Sequence, residues 1–260
     1  MQDRVLPFDG IHNFRDYGGY VGRNGARLKA GRLFRSGQHV DATARDLAAV
    51  AALKLSAVID LRGDSERAQF PCARPPGFAA QVLFAPGETA GAGYAPHVEA
   101  AREVSTAAQA HAAMVVLYRF MPFRPKLIEI LQLYFEALDR SEGPTLLHCL
   151  AGKDRTGLAA GLLHRLMGVH PDDVMADYML TNVAGNVERR IAAGASTVRS
   201  SFGHRMDEGA VRTLMSVHPE FLDTAFSEIE RAHGSVDVYA RNILGVSDRR
   251  LAQIEARLLV

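Results

Sequence analysis

Cys149 and Arg155 stand either side of five residues, in the run His148-Cys149-Leu150-Ala151-Gly152-Lys153-Asp154-Arg155-Thr156-Gly157. Before the run, Thr145 to His148 reads as a short buried strand. After it, the pattern reads as a helix. A loop of this length between strand and helix can turn the backbone N–H groups of Leu150, Ala151, Gly152 and Lys153 inward. That makes an anion cradle, reinforced by the positive end of the helix. Gly152 permits a backbone conformation that a side chain would resist. Arg155 closes the ring, and its planar fork can clamp two phosphate oxygens. Cys149 sits beneath the anion, where the same dipoles favour its thiolate. A thiolate under a bound phosphate is an in-line nucleophile for phosphorus. Thr156 can donate a hydrogen bond to the sulfur and ease its departure. His148 reads as a residue that orients the loop rather than as a base. A lone buried cysteine is usually an inert small hydrophobe. Here His, Cys, Gly, Arg, Thr and Gly fall together at one junction. The nucleotide-binding loop GxxxxGK[ST] does not fit, because Asp154 follows Lys153 and no glycine stands five residues before Gly152.

Elements must hold this loop in place, and the pattern supplies them. Arg32 to Arg35 and Ala57 to Arg62 read as strands, with a helix between them from a cap at Asp41 or Thr43 to about Leu53. Asn24-Gly25 is a hairpin-turn signal between Tyr20-Val21 and Arg27-Leu28. Pro71 to Gly93 reads as irregular apart from a short strand near Gln81 to Phe84. One helix is expected over Glu99 to Met121 and another from Pro125 to about Arg140, the latter with a clean apolar stripe. Everything after Thr156 reads as helices: Gly157 to Met167, Pro171 to about Ala193, Glu208 to Met215, Pro219 to Ala232, Val236 to Leu244 and Asp248 to Leu259. Ser235 and Ser247 stand at N-cap positions, and Gly168 and Gly245 at C-terminal ones. Alternating strands and helices predict an α/β layer structure in one domain over residues 1–260, with 157–260 mostly helical.

Composition bounds the partners. Thirty Lys plus Arg against 29 Asp plus Glu leave a formal charge of +1, which argues against nucleic acid or anionic membranes as partners. At 48% apolar and 23% charged, the chain has ample material for a core. Two cysteines, Cys72 and Cys149, exclude a disulfide framework and a four-cysteine zinc site. Cys72 reads as a plain reduced thiol; a regulatory disulfide with Cys149 is the minor alternative. Ten histidines show no ligand spacing near a carboxylate, so no metal is expected, and no cofactor is implied. No stretch approaches the roughly 20 apolar residues of a membrane span, and the N-terminus lacks the apolar core of a secretion signal. A cytoplasmic location is the expectation, with export by a route lacking a cleaved signal as the alternative.

The run HCLAGKDRTG resembles the signature of cysteine-dependent protein tyrosine phosphatases, and more narrowly a bacterial group with HCxAGKDRTG. Asn13-Phe14-Arg15-Asp16-Tyr17-Gly18-Gly19 with Gly31-Arg32-Leu33-Phe34-Arg35-Ser36 is similar to that group's N-terminal pattern. Val58-Ile59-Asp60-Leu61-Arg62 and Asp177-Tyr178-Met179-Leu180-Thr181-Asn182 are similar to later parts of it. The resemblance spans about residues 10–185. It implies a cysteine-phosphatase-like, mainly parallel central sheet flanked by helices, and hydrolysis of phosphotyrosine through a phosphocysteine, with phosphoserine and phosphothreonine as further substrates. It also implies a helical lid, here at about residues 87–123. Leaving-group protonation falls to Asp154, the aspartate inside the signature, with Asp60 as the second candidate. The other reading of Asp60 is a salt bridge to Lys153 or Arg155. Lys153 is also similar to the loop lysine of phosphoinositide phosphatases, where it meets a neighbouring ring phosphate; the plain reading is a solvated loop lysine. Phosphoinositide hydrolysis is therefore the alternative. A binding module that has lost catalysis and a rhodanese-like sulfurtransferase are weaker ones. Arg15, Asp16 and Arg35 are expected to join a buried network, or to brace the loop. Arg119 and Arg124 are candidates for the entrance, and Arg189-Arg190 reads as a solvated helix face.

Overall fold

Three short strands form the centre of the sheet: β2 (Leu33–Ser36), β3 (Ala57–Asp60) and β5 (Thr145–His148), each wholly buried. The computed structural model describes residues 4–91, 96–101, 104–185, 187–202 and 206–260. β5 lies between β2 and β3, parallel to both. β4 (Gln81–Leu83) adds parallel to β3, and β1 (Arg15–Asp16) adds antiparallel to β2. The order is β1-β2-β5-β3-β4, the expected mainly parallel sheet.

Period-two side-chain alternation divides the core between the two faces. Phe34, Val58 and Leu146 meet Val50 of α1 (Ala44–Ala52) together with Ile11 and Phe14. Leu33, Ile59 and Leu147 point the other way, into the main core. Two helices fill much of that side. α5 (Pro125–Arg140) presents its predicted stripe, Leu127, Ile130, Leu131, Tyr134, Phe135 and Leu138. α6 (Asp154–Leu166) is buried almost all round, as a helix between a sheet and further helices must be.

Local signals placed several ends correctly. Thr43 caps α1 reciprocally with Asp46, and Ser235 and Ser247 cap α11 (Val236–Asn242) and α12 (Asp248–Leu258). Asn24-Gly25 does turn the chain with positive φ, but one bridge between Val21 and Arg27 replaces the expected hairpin strands.

Two long helices come out divided. Glu99 to Met121 becomes α3 (Pro96–Ala100) and α4 (Ala107–Phe120), because Thr106 and Gln109 form a capping box that starts a new helix. The Pro171 helix stops as α7 (Pro171–Met179); a 3₁₀ turn at Leu180–Asn182 follows, and Gly185 takes φ +73° ahead of α8 (Val187–Phe202). A helix at α2 (Asp64–Gln69) also forms, capped by Glu66 folding back on the Gly63 N–H. α9 (Glu208–Met215) and α10 (Pro219–His233) pack against α4. No helix among the described residues is long and apolar enough to cross a membrane.

Candidate active site

Cys149 follows β5 directly and is 2% exposed. α6 begins at Asp154, so the loop from Cys149 to Lys153 spans strand end to helix start as expected. The backbone N–H groups of Leu150, Ala151, Gly152, Asp154 and Arg155 make no hydrogen bond among the described residues. Two of the loop's carbonyls are instead bound from outside. Gln38 N–H donates to the Leu150 carbonyl at 2.9 Å. The Gly152 carbonyl receives Asn13 Nδ2 at 2.6 Å and Arg35 Nη2 at 3.1 Å. Tying the carbonyls outward leaves the amides for an anion. Gly152 has φ +66°, and a Cβ there would come within 2.4 Å of the Ser36 carbonyl. Chirality and space both require glycine.

The brace behind Gly152 is itself anchored. Asp177, on α7, binds Arg15 Nε at 3.1 Å and Arg35 Nη1 at 2.6 Å, all three groups buried. Burial alone would raise the Asp177 carboxyl; the charges of Arg15 and Arg35 outweigh it and hold it far below the usual carboxylate range. Arg15 also bonds Thr181 and Asn13, so the segments around residues 13, 35 and 177 meet at one point behind the loop. Asp16 does not join them. Its carboxylate accepts from the N–H groups of Gly18 and Gly31, closing a local turn instead.

Arg155 is 1% exposed, and its clamp is fixed by residues far away in sequence. Glu66 takes Nη1 at 2.5 Å and Nη2 at 2.7 Å; the Leu61 carbonyl and Thr89 Oγ1 take Nη1 as well, at 3.1 and 2.9 Å. Nε has no partner among the described residues, and neither does Thr156 Oγ1. Burial would raise Glu66, but the Arg155 charge and hydrogen bonds bring it below its ordinary value, and Glu66 in turn raises Arg155. Glu66 and Thr89 were not recognised in the sequence. The one available signal was Glu66 at the third position of α2.

Asp60 lies level with His148 in neighbouring strands, as its strand-end position predicted. Its salt bridge, however, goes to Arg62, with Nε at 2.8 Å and Nη2 at 2.7 Å, rather than to Lys153 or Arg155. The reason is reach: two residues along, Arg62 folds back on the same strand end. Burial would raise Asp60; His148 when protonated, and Arg62 at every pH, hold it well below the carboxylate range. Lys153 is not a solvated loop lysine. It is fully buried, with its ammonium on the carbonyls of Leu214 and Ser216 at the end of α9 and 3.3 Å from Asp154 Oδ1. Helix C-termini attract cations, which explains the fit.

The expected lid segment reaches the loop through Tyr118 of α4, whose hydroxyl donates to Asp154 Oδ1 at 2.9 Å. Residues 92–95, 102 and 103 of that segment lie outside the described residues. Arg119 and Arg124 are engaged in ion pairs with Glu228 and Glu99. Arg189 is exposed and donates to the Asp9 carbonyl; the side chain of residue 190 lies outside the described set. Cys72 is a free thiol and accepts from the His39 N–H at 3.3 Å.

His148 is wholly buried, beside Asp60 and the Cys149 carbonyl. Burial pushes its pKa down to about 4, and His39 shifts the same way. The unfolded chain therefore binds more protons than the folded one between about pH 6.5 and 4, and stability falls with pH across that window. His148 alone accounts for about 3 kcal/mol by pH 4. Urea midpoints are expected to drop steadily from pH 6.5 to 4.5; a flat profile would contradict this.

The comparisons with known proteins agree with this geometry. A family model described as "Tyrosine phosphatase family" matches residues 6–260. A protein of Cupriavidus necator, provisionally named a tyrosine-protein phosphatase, is 35% identical over 255 residues, covering 95% of this chain and 86% of its own length. A triple specificity protein phosphatase of Mycobacterium tuberculosis is 27% identical over 289 residues, covering 100% of both chains. A tyrosine-protein phosphatase of Nostoc commune is 30% identical over 133 residues, covering 49% of this chain and 43% of its own.

Proposed function

The chain belongs to the tyrosine phosphatase family, and from that premise we propose that it hydrolyses phosphotyrosine, with phosphoserine and phosphothreonine besides, through a phosphocysteine on Cys149. The observation that carries the reading is the set of amides beside Cys149, those of Leu150, Ala151, Gly152, Asp154 and Arg155, unpaired among the described residues and closed by an Arg155 whose Nε is likewise unpartnered among them. In the first step the Cys149 thiolate attacks phosphorus. The P–O bond to the leaving group breaks, and Asp154 gives that oxygen its proton. In the second step water attacks phosphorus and returns a proton to Asp154. The P–S bond breaks, and Thr156 donates to the departing sulfur. Leu150, Ala151, Gly152, Asp154 and Arg155 supply backbone donors to the phosphoryl oxygens throughout. The charge that builds on those oxygens meets preset dipoles, which is the main source of rate.

Asp154 is preferred over Asp60 as the acid. Asp60 is tied to Arg62 and held ionised, whereas Asp154 opens the helix that carries Arg155. The phosphoinositide alternative turns on Lys153. Meeting a second ring phosphate requires its ammonium to leave the end of α9, and phosphotyrosine requires no such move. We treat residues 1–260 as one phosphatase domain, because Asp177 beyond the loop holds Arg15 and Arg35 before it. A catalytic thiol suits a reducing compartment, so the reading carries a cytoplasmic location with it.

Asp154→Ala tests the acid assignment. kcat/KM, which reports the first step alone, is expected to fall about 10²–10⁴-fold on a phosphotyrosine peptide, with far less loss on 2,4-dinitrophenyl phosphate, whose leaving group needs no proton. Equal losses on both substrates would remove Asp154 from that role. If Asp60→Ala showed the selective loss instead, the roles would be exchanged.

A further inference from the structure

Asp154 does not stand alone at the start of α6. Tyr118 donates to its Oδ1 at 2.9 Å, and Tyr178 donates to the Tyr118 oxygen at 2.7 Å. Both phenols are buried, with their rings edge to face. Lys153 Nζ lies 3.3 Å from the same Oδ1. The other oxygen, Oδ2, makes no hydrogen bond among the described residues.

The two oxygens of the carboxyl group are therefore unlike. One faces donors from α4 and from the loop. The other is left to accept or give a proton. We propose that Tyr118 is the positioning residue for the acid of the reaction, fixing the Asp154 carboxyl so that Oδ2 carries the proton to the leaving oxygen.

Several features support that role. Burial pushes both phenols upward, so Tyr118 and Tyr178 remain donors at any working pH. Their order is set as well. Tyr118 has one proton, which goes to the carboxylate, so its oxygen is free to accept from Tyr178. The approach of Tyr178 depends on Gly157, where a Cβ would lie 2.8 Å from the Tyr178 ring. Tyr178 follows Asp177 on α7, so one helix anchors the phosphate loop through one residue and the acid through the next. The charged and titratable groups that act on Asp154 are Lys153 and Arg155 on its own segment, Tyr118 from α4 and Tyr178 from α7.

The proposal rests on Asp154 being the acid, and the test separates the two claims. Tyr118→Phe removes one hydroxyl and keeps the ring. Its kcat/KM on a phosphotyrosine peptide is expected to fall about 10-fold, a part of the whole acid contribution, with 2,4-dinitrophenyl phosphate changed less than about twofold. Tyr178→Phe keeps the direct donor, and should show the same selective loss on the phosphotyrosine peptide to a smaller extent, about threefold. Thermal melting should fall similarly in both, since each loses one buried hydrogen bond, so a merely structural role would not separate them. If Asp154→Ala loses both substrates equally, the acid assignment fails, and this proposal with it. If Asp154→Ala shows the selective loss but Tyr118→Phe leaves the selectivity unchanged, or slows both substrates alike, the proposal alone is overturned. Should Tyr118→Phe fail to fold, Tyr178→Phe carries the test, and unchanged selectivity there is the contrary result.

Discussion

Cys149→Ser is expected to lose turnover of any phosphate monoester by at least about 10⁵-fold while still binding the ester. The cradle's dipoles can favour a thiolate, because a thiol is already a modest acid. They cannot ionise a serine hydroxyl at neutral pH. Nothing else in the site changes. The outward ties of the Leu150 and Gly152 carbonyls do not involve the sulfur, and Arg155 stays clamped by Glu66. Binding should therefore persist with a Kd near the wild-type KM. Titration of the variant with a phosphotyrosine peptide, beside a p-nitrophenyl phosphate assay, checks both halves. Substantial residual activity would mean another nucleophile; loss of binding would mean that the cradle depends on the thiol.

Arg155→Ala is expected to cost about 10³–10⁵-fold in kcat/KM, comparable to removing an arginine from other phosphoryl-transfer sites. Two effects add. The guanidinium no longer meets the equatorial oxygens, and Glu66 is left buried without its partner. Breaking a buried pair in this way costs about 3–5 kcal/mol. Arg155→Lys separates them. A lysine keeps a charge opposite Glu66 but cannot fork between carboxylate and phosphate. It should recover most of the stability in urea and little of the activity, remaining about 10²-fold or more down. Equal recovery of both would show that charge alone suffices, and that the fixed fork geometry is irrelevant.

The part of the site read from sequence is the part that is contiguous. Cys149 to Thr156 lie on one strand–loop–helix junction, so spacing alone places their groups around one point. The flanking strands were legible too, because Leu33, Val58 and Leu146 belong to short apolar runs. What supports the loop was less visible. Glu66 lies 89 residues from Arg155, Thr89 66 away, and Tyr118 36 from Asp154. Only the strand order β2-β5-β3, and the seating of α4 against α9 and α10, brings them together. Tyr118 in particular occupies a place on an apolar helical ridge, where a tyrosine reads as core, and its hydroxyl shows no partner until the fold is known. Asp60 illustrates the reverse error. Its strand-end position was right, but Arg62, two residues along, captures it before a more distant cation can. The helix breaks at Thr106 and Gly185 were missed because the apolar spacing on either side continues across them, while capping and positive φ decide the boundary.

The central claim is that phosphate passes through the sulfur of Cys149. Mixing Asp154→Ala protein with an activated aryl phosphate, quenching within milliseconds and mapping the peptides by mass spectrometry tests it most directly. That variant keeps the first step with a good leaving group but lacks the residue that takes a proton from water, so the intermediate should accumulate. The predicted result is a burst of aryl alcohol approaching one per protein, with one phosphoryl group on the peptide containing Cys149 and none in Cys149→Ser. A stoichiometric burst with phosphate on another side chain, or steady turnover with no labelled protein at any time, would contradict it.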